Sequence, residues 1–476
     1  MRKFVQFIIS TTFLMLISCH SYGQYDIEIR TNGWKDTTMI LGYYYQGEDM
    51  LVADTFNIDK HGKAIIKSDT LLPNGIYTAY FPNKTFFDIL LGQDQTLTIS
   101  VDTADFINSQ VIKGSSESEA FAAYHKFMQG MQKKRTDLIS HYRPLIQNKD
   151  SLAVAKQKLQ ELNDKVSEKW DTDYKKYQGT FYGTIIKSFI PVKYEPEQTP
   201  EYKALSDSVK ALKRYYFEAN HYFDNTDLTE PGLWRTSFYK ERITHYLDKV
   251  LIPQPDSITP YALRLIQESK PDKTCFRFMA TTVLNFAVKS DIMGMESLSV
   301  AVSKKYYLNE DAYWADSTLL SKLAELVAKE EHTLLGKTAP DLVMEDWQEG
   351  YKSLHQVDAP YTILIFFEPN CSHCKVIVPE VYEKIWKKYE DKGLAVYCVY
   401  TQTNREEWEK FINDKELYGW THVWDPYNQT NFRYYYDVSV TPRIFLLDKD
   451  KKIIGKKLGV ETLDLMLDRL YRNGKI

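Results

Sequence analysis

FFEPNCSHCKVIVPE, Phe366–Glu380, overlaps the end of an apolar run, YTILIFF (Tyr361–Phe367), and carries Cys371 and Cys374 in a C-x-x-C pair. A short apolar run bounded by turn residues reads as a buried strand, and the residues from Cys374 to about Glu390 read as a helix. The pair therefore falls at a strand-to-helix junction. A pair so spaced can be a redox dithiol, half of a metal site or a structural staple. Zinc takes about four ligands, and the chain offers no second C-x-x-C, so a metal site is disfavoured. A disulfide between Cys371 and Cys374 closes too small a loop to constrain the unfolded chain much, which leaves stability a poor reason for it.

The junction itself favours redox chemistry. Unpaired backbone N–H groups and the positive end of the helix dipole lie where Cys371 enters the helix, and both favour negative charge. The thiolate is the attacking species, and such placement lowers a cysteine pKa from about 8.5 to roughly 3.5–7.5. His373 adds to this when protonated, or else is a solvated bystander at an exposed turn. Cys374, one turn deeper, is the natural resolving thiol, which attacks the mixed disulfide formed by Cys371.

Outward from the pair, strand-like and helix-like segments alternate from about residue 332 to 476. LAVYCVYT, THVWD, RIFLLD and KIIGKKLG read as strands; NREEWEKFIND, NQTNFRYYYD and ETLDLMLDRLYRN read as helices. This predicts an α/β sheet with helices on both faces. Residues 24–113 read instead as an antiparallel β domain, with β-branched and aromatic runs punctuated by Asn-Gly and His-Gly breaks. Residues 114–331 read as an all-α domain that opens at Ser115 or Ser116 as N-cap. Its clearest helix carries Leu152, Ala155, Leu159, Leu162, Val166 and Trp170 on one stripe, the face of a packed bundle rather than of a coiled coil.

Composition narrows the function further. With 60 basic and 64 acidic residues in 476, the chain has no field to draw in nucleic acid. Arg2 and Lys3 precede an apolar stretch, Phe4 to Ile17, too short to remain across a bilayer, so residues 1–23 read as an export signal. Ser21-Tyr22-Gly23 suits ordinary cleavage, the reading preferred here; Leu16-Ile17-Ser18-Cys19 resembles a lipobox, which would anchor the protein by a lipid on Cys19. Either exit leads to the periplasm or cell envelope. Of five cysteines, Cys275 and Cys398 stand alone in apolar surroundings and read as buried thiols.

The last ~140 residues resemble the thioredoxin-fold domain of the exported TlpA/ResA-like thiol-disulfide oxidoreductases. GKTAPDL resembles that family's entry segment, CSHC stands at the junction, and Pro379 lies where thioredoxins kink their first helix. Val440-Thr441-Pro442 precedes RIFLLD as the family's cis-proline loop precedes a strand. The resemblance implies catalysis by Cys371 and Cys374 without a bound cofactor or metal. It also implies that Thr441 and Pro442 position an extended segment of a client protein, and that a membrane electron donor stands upstream. Departures are plain: Ile365 fills the place of thioredoxin's buried proton-accepting aspartate, and Ile377 that of a common ResA glutamate. Asn370 replaces the tryptophan before the first cysteine. Glu368 is a candidate proton acceptor, or else a loop carboxylate without that role.

These readings combine in an exported oxidoreductase, of reductase type, exchanging its dithiol with client proteins. The rival is a cell-envelope binding or scaffold protein whose redox pair is sensory or incidental. A peroxiredoxin is disfavoured, because Leu364 and Glu368 fill the Pro and Thr/Ser places of the P-x-x-x-T/S-x-x-C pattern.

Overall fold

The computed structural model describes residues 25–45, 49–145 and 148–472; residues 1–23, expected to act as an export signal, and with them Cys19, lie outside these. The chain divides into two compact units, one reaching to Ile190 with Gly232–Ser237, the other Pro191–Pro231 with Phe238–Ile476.

The first unit contains two four-stranded sheets built from β1 (Tyr25–Asn32), β2 (Thr37–Tyr45), β3 (Asp49–Ile58), β4 (Lys63–Ser68), β5 (Gly75–Tyr80), β6 (Phe86–Leu91), β7 (Thr96–Asp102) and β8 (Val111–Lys113), in the orders β4-β1-β7-β8 and β3-β2-β5-β6. All pairs are antiparallel, as expected, except β1 with β7, which run parallel. Alternate residues such as Ile27, Ile29, Ile89 and Ile99 fill one core.

The helix Ser116–Tyr142 starts at Ser115, whose hydroxyl accepts from the Ser118 N–H. It does not begin a separate body: Ser118 donates to Leu90 O of β6 at 2.7 Å, and Glu117 accepts from Gln93 N and Tyr182 N at 3.0 and 3.2 Å. The expected 114–331 domain is thus shared between the units, its helices up to Phe189 clustering with the sheets. The stripe from Leu152 to Trp170 packs within the chain, and Trp170 Nε1 donates to Tyr124 OH at 3.0 Å.

The second unit begins with the remaining helices, ending in Ser317–Glu330, and continues into a seven-stranded sheet. The strands β9 (Val343–Asp346), β10 (Tyr351–Ser353), β11 (Tyr361–Phe367), β12 (Leu394–Tyr400), β13 (Thr421–Trp424), β14 (Arg443–Asp448) and β15 (Ile453–Lys456) lie in the order β10-β9-β13-β12-β11-β14-β15. β11, β12 and β13 are parallel, and β14 is antiparallel to β11. Every residue of β11 is buried, as a strand covered on both faces requires. Ile363, Ile365 and Phe367 share one core with Cys374; Leu364 and Phe366 join the opposite one.

Two helices differ from expectation. Pro379 has no N–H to donate, and the helix from Cys374 widens into a π-helical turn at Val381–Trp386. The helix expected over NQTNFRYYYD contracts to Phe432–Tyr435, because Asn428 and Asn431 adopt positive φ and Asp425 accepts from Gln429 N and Thr430 N in a turn.

Candidate active site

Strand β11 ends at Phe367, and the chain turns so that Cys371 N donates to Glu368 O at 3.2 Å; Cys371 O then accepts from Lys375 N at 3.2 Å. The helix proper begins at Cys374. Cys371 is partly exposed and Cys374 buried, both as free thiols. The Thr441–Pro442 peptide is cis, and Cys371 Sγ lies 3.3 Å from Thr441 O. The junction and the proline loop, far apart in sequence, thus meet at one sulfur.

Opposite forces act on the two thiols. At Cys371 partial burial disfavours the thiolate. The Cys374 backbone N–H, the Cys374 thiol, the Thr441 hydroxyl and the His373 backbone N–H outweigh it and hold Cys371 below the ordinary thiol range. Burial pushes Cys374 up to about 12, against opposing hydrogen bonds from the Glu368 backbone and the Thr441 side chain. One sulfur is prepared to attack; the other holds its proton until a base takes it.

The remaining expected residues fall as follows. The His373 side chain is exposed, and its backbone rather than its ring touches the site. Glu368 is half-buried, its Oε1 accepting from Thr401 Oγ1 at 3.2 Å. Thr401, buried after β12, also donates its N–H to Phe367 O at 3.1 Å, and its carbonyl accepts from Arg433. Ile365 lies in the Cys374 core, so position 365 offers that thiol an apolar side chain and not a carboxylate. Cys398 is fully buried on β12 and burial raises its pKa well above the usual value; Cys275 is likewise buried and raised.

Sequence reading did not single out Thr401, the hydroxyl of Thr441, or the pair Asp437 and Arg443. Arg443 Nη2 donates to Asp437 Oδ2 at 2.9 Å and Arg443 Nε to Asp437 O at 2.8 Å, closing the base of the loop that carries Thr441. Opposite charges on either side of Val440-Thr441-Pro442 were the available signal.

Residues 335–456 match the AhpC/TSA family. Over 135 residues the chain is 25% identical to the thiol-disulfide oxidoreductase ResA of Bacillus cereus, covering 28% of this chain and 76% of that protein. It is 42% identical to the crystal structure of a domain of a possible thiol-disulfide isomerase from Cytophaga hutchinsonii, covering 29% of this chain and 95% of that one, with a TM-score of 0.28. The thioredoxin domain of a thiol-disulfide oxidoreductase from Bacteroides vulgatus is 26% identical, covering 29% and 96%, with a TM-score of 0.27.

Proposed function

From a C-terminal domain that belongs to the ResA-like thioredoxin-fold thiol-disulfide oxidoreductases, we propose that this protein is an exported reductase of client disulfides in the cell envelope. The observation that carries the reading is a partly exposed Cys371 thiol 3.3 Å from Thr441 O, with Cys374 of the same pair buried. The Cys371 thiolate attacks one sulfur of a client disulfide, forming a mixed disulfide and releasing a client thiolate. Cys374 gives up its proton and attacks Cys371 Sγ, which breaks the mixed disulfide and releases the second client thiolate. Two electrons pass to the client, and a Cys371–Cys374 disulfide remains for an upstream membrane donor to reduce. The chemistry needs no cofactor.

Thr441 and Pro442 position the client segment, and Glu368 receives the Cys374 proton, with His373 a supporting residue. Export rests on residues 1–23. No helix among the described residues is long and apolar enough to cross a membrane.

The test is reduction of insulin disulfides by the full chain, with covalent trapping by Cys374→Ser. Turnover, and client proteins held on Cys371 through a reducible bond, are expected. Absence of both would favour a binding or scaffold role. A reduction potential near about −270 mV fits a reductant, and one near about −120 mV an oxidant.

A further inference from the structure

The loop carrying Thr441 is held by more than its own strand. Asp437 accepts from Ser439 Oγ at 2.6 Å and from both the Nε and Nη2 of Arg443, through its carbonyl and carboxylate. Val440, Thr441 and Pro442 form the span between these two clasped residues. Both partners of the ion pair are mostly buried, with side-chain exposures of 11% for Arg443 and 19% for Asp437, where such a pair is screened little. Two donors of one planar guanidinium, one on the Asp437 carbonyl and one on its carboxylate, fix direction as well as distance.

The clasp continues into the helical segment that precedes the redox domain. His332, in the turn after helix Ser317–Glu330, packs its ring against Tyr434 and Tyr435, with centroids 5.3 and 5.2 Å apart. Lys329 of the same helix adds an attractive charge to Asp437. Tyr436, next in the chain, is buried against Phe366 and Phe445, so the Tyr434–Tyr436 run links the helix to the residue that anchors the loop.

We infer that Asp437 and Arg443, braced by His332, form a positioning device for the Val440-Thr441-Pro442 loop, through which the preceding helices set how a client is presented to Cys371. This inference rests on the oxidoreductase reading. None of the three residues touches a reacting sulfur; they act through Thr441, and a shift of an ångström in such a support is enough to weaken a reaction. The device gives the helices before the redox domain a role in the reaction.

The test uses the full chain with His332→Ala, His332→Phe and Asp437→Asn. Two readouts are taken: kcat and KM for insulin reduction, and the pH dependence of Cys371 alkylation followed by mass spectrometry. His332→Ala and Asp437→Asn are expected to raise KM roughly threefold to tenfold, about the value of one lost contact, and to slow Cys371 alkylation at neutral pH. His332→Phe keeps a ring against Tyr434 and Tyr435 and is expected to restore most of the loss. A wild-type chain without turnover overturns the oxidoreductase reading itself. An active wild type, with folded His332→Ala and Asp437→Asn unchanged in both readouts, overturns this inference alone. An effect of Asp437→Asn with a silent His332→Ala overturns the link to the helices.

Discussion

Cys371 Sγ and Thr441 O are 3.3 Å apart across 70 residues of sequence. In the thiol form the S–H donates to that carbonyl, which favours the proton staying. The Thr441 side chain acts the other way, favouring the ionised form of each cysteine sulfur. One residue therefore restrains the nucleophile through its backbone and activates it through its side chain.

Thr441→Val separates the two effects, because it keeps the β-branched shape and the carbonyl but removes the hydroxyl. Cys371 alkylation at neutral pH is expected to slow by roughly threefold to tenfold, the worth of about one hydrogen bond. Thr441→Ser, which retains the hydroxyl, should stay close to the parent. An unchanged rate in Thr441→Val would show that the backbone N–H groups of His373 and Cys374 suffice.

Cys374, raised to about 12, should remain unalkylated in the folded protein at a pH where Cys371 is fully modified. The linkage has a definite sign. A thiol whose folded pKa is raised contributes stability in full below its unfolded value of about 8.5, and loses that contribution as pH rises toward about 12. Chemical denaturation between those values should show the reduced parent losing stability faster than Cys374→Ala. Parallel curves would contradict the burial of this thiol.

Proton removal from Cys374 falls to Glu368 in the proposed mechanism. Its carboxylate is oriented by Thr401 Oγ1 at 3.2 Å, while its backbone reaches Cys374. Glu368→Gln is expected to slow the decay of the mixed disulfide by about a hundredfold or more in single turnover, as loss of a general base does. Cys371 alkylation should be little affected, since the contact of Glu368 with Cys371 is through its backbone carbonyl, which the substitution keeps. Slowing of both steps would mean that the substitution has disturbed the junction.

The strand-to-helix junction and the proline loop were legible because each is local: an apolar run, a C-x-x-C and a Thr-Pro before a strand. The short strands β9 and β10 were missed, having only four and three residues and no full alternation to read. Thr401 and Asp437 were missed for another reason. Their roles depend on partners at Glu368, Arg433, Arg443 and Lys329, brought close only when the sheet and its neighbouring helix assemble. The first boundary fell differently because Ser118 and Glu117 bind back to β6 and the turn after it, contacts that helix periodicity does not report.

Acid stability supplies a test of the core that supports the site. His422 on β13 has no exposed surface; its Nε2 donates to Leu417 O at 2.7 Å, and its Nδ1 has no hydrogen-bond partner among the described residues. Burial, opposed only by that carbonyl, lowers its pKa from 6.5 to about 4. A depressed folded pKa gives stability that is present above about 6.5 and lost as pH falls through about 4, because the unfolded chain takes up the proton first. The shift corresponds to about 3 kcal/mol across that window. His422→Gln keeps a donor for Leu417 O without the titration, so its unfolding free energy should vary less between these pH values than that of the parent. An equally steep decline in the variant would transfer the acid sensitivity to carboxylates elsewhere, Asp437 among them, whose ion pair with Arg443 is also lost at low pH.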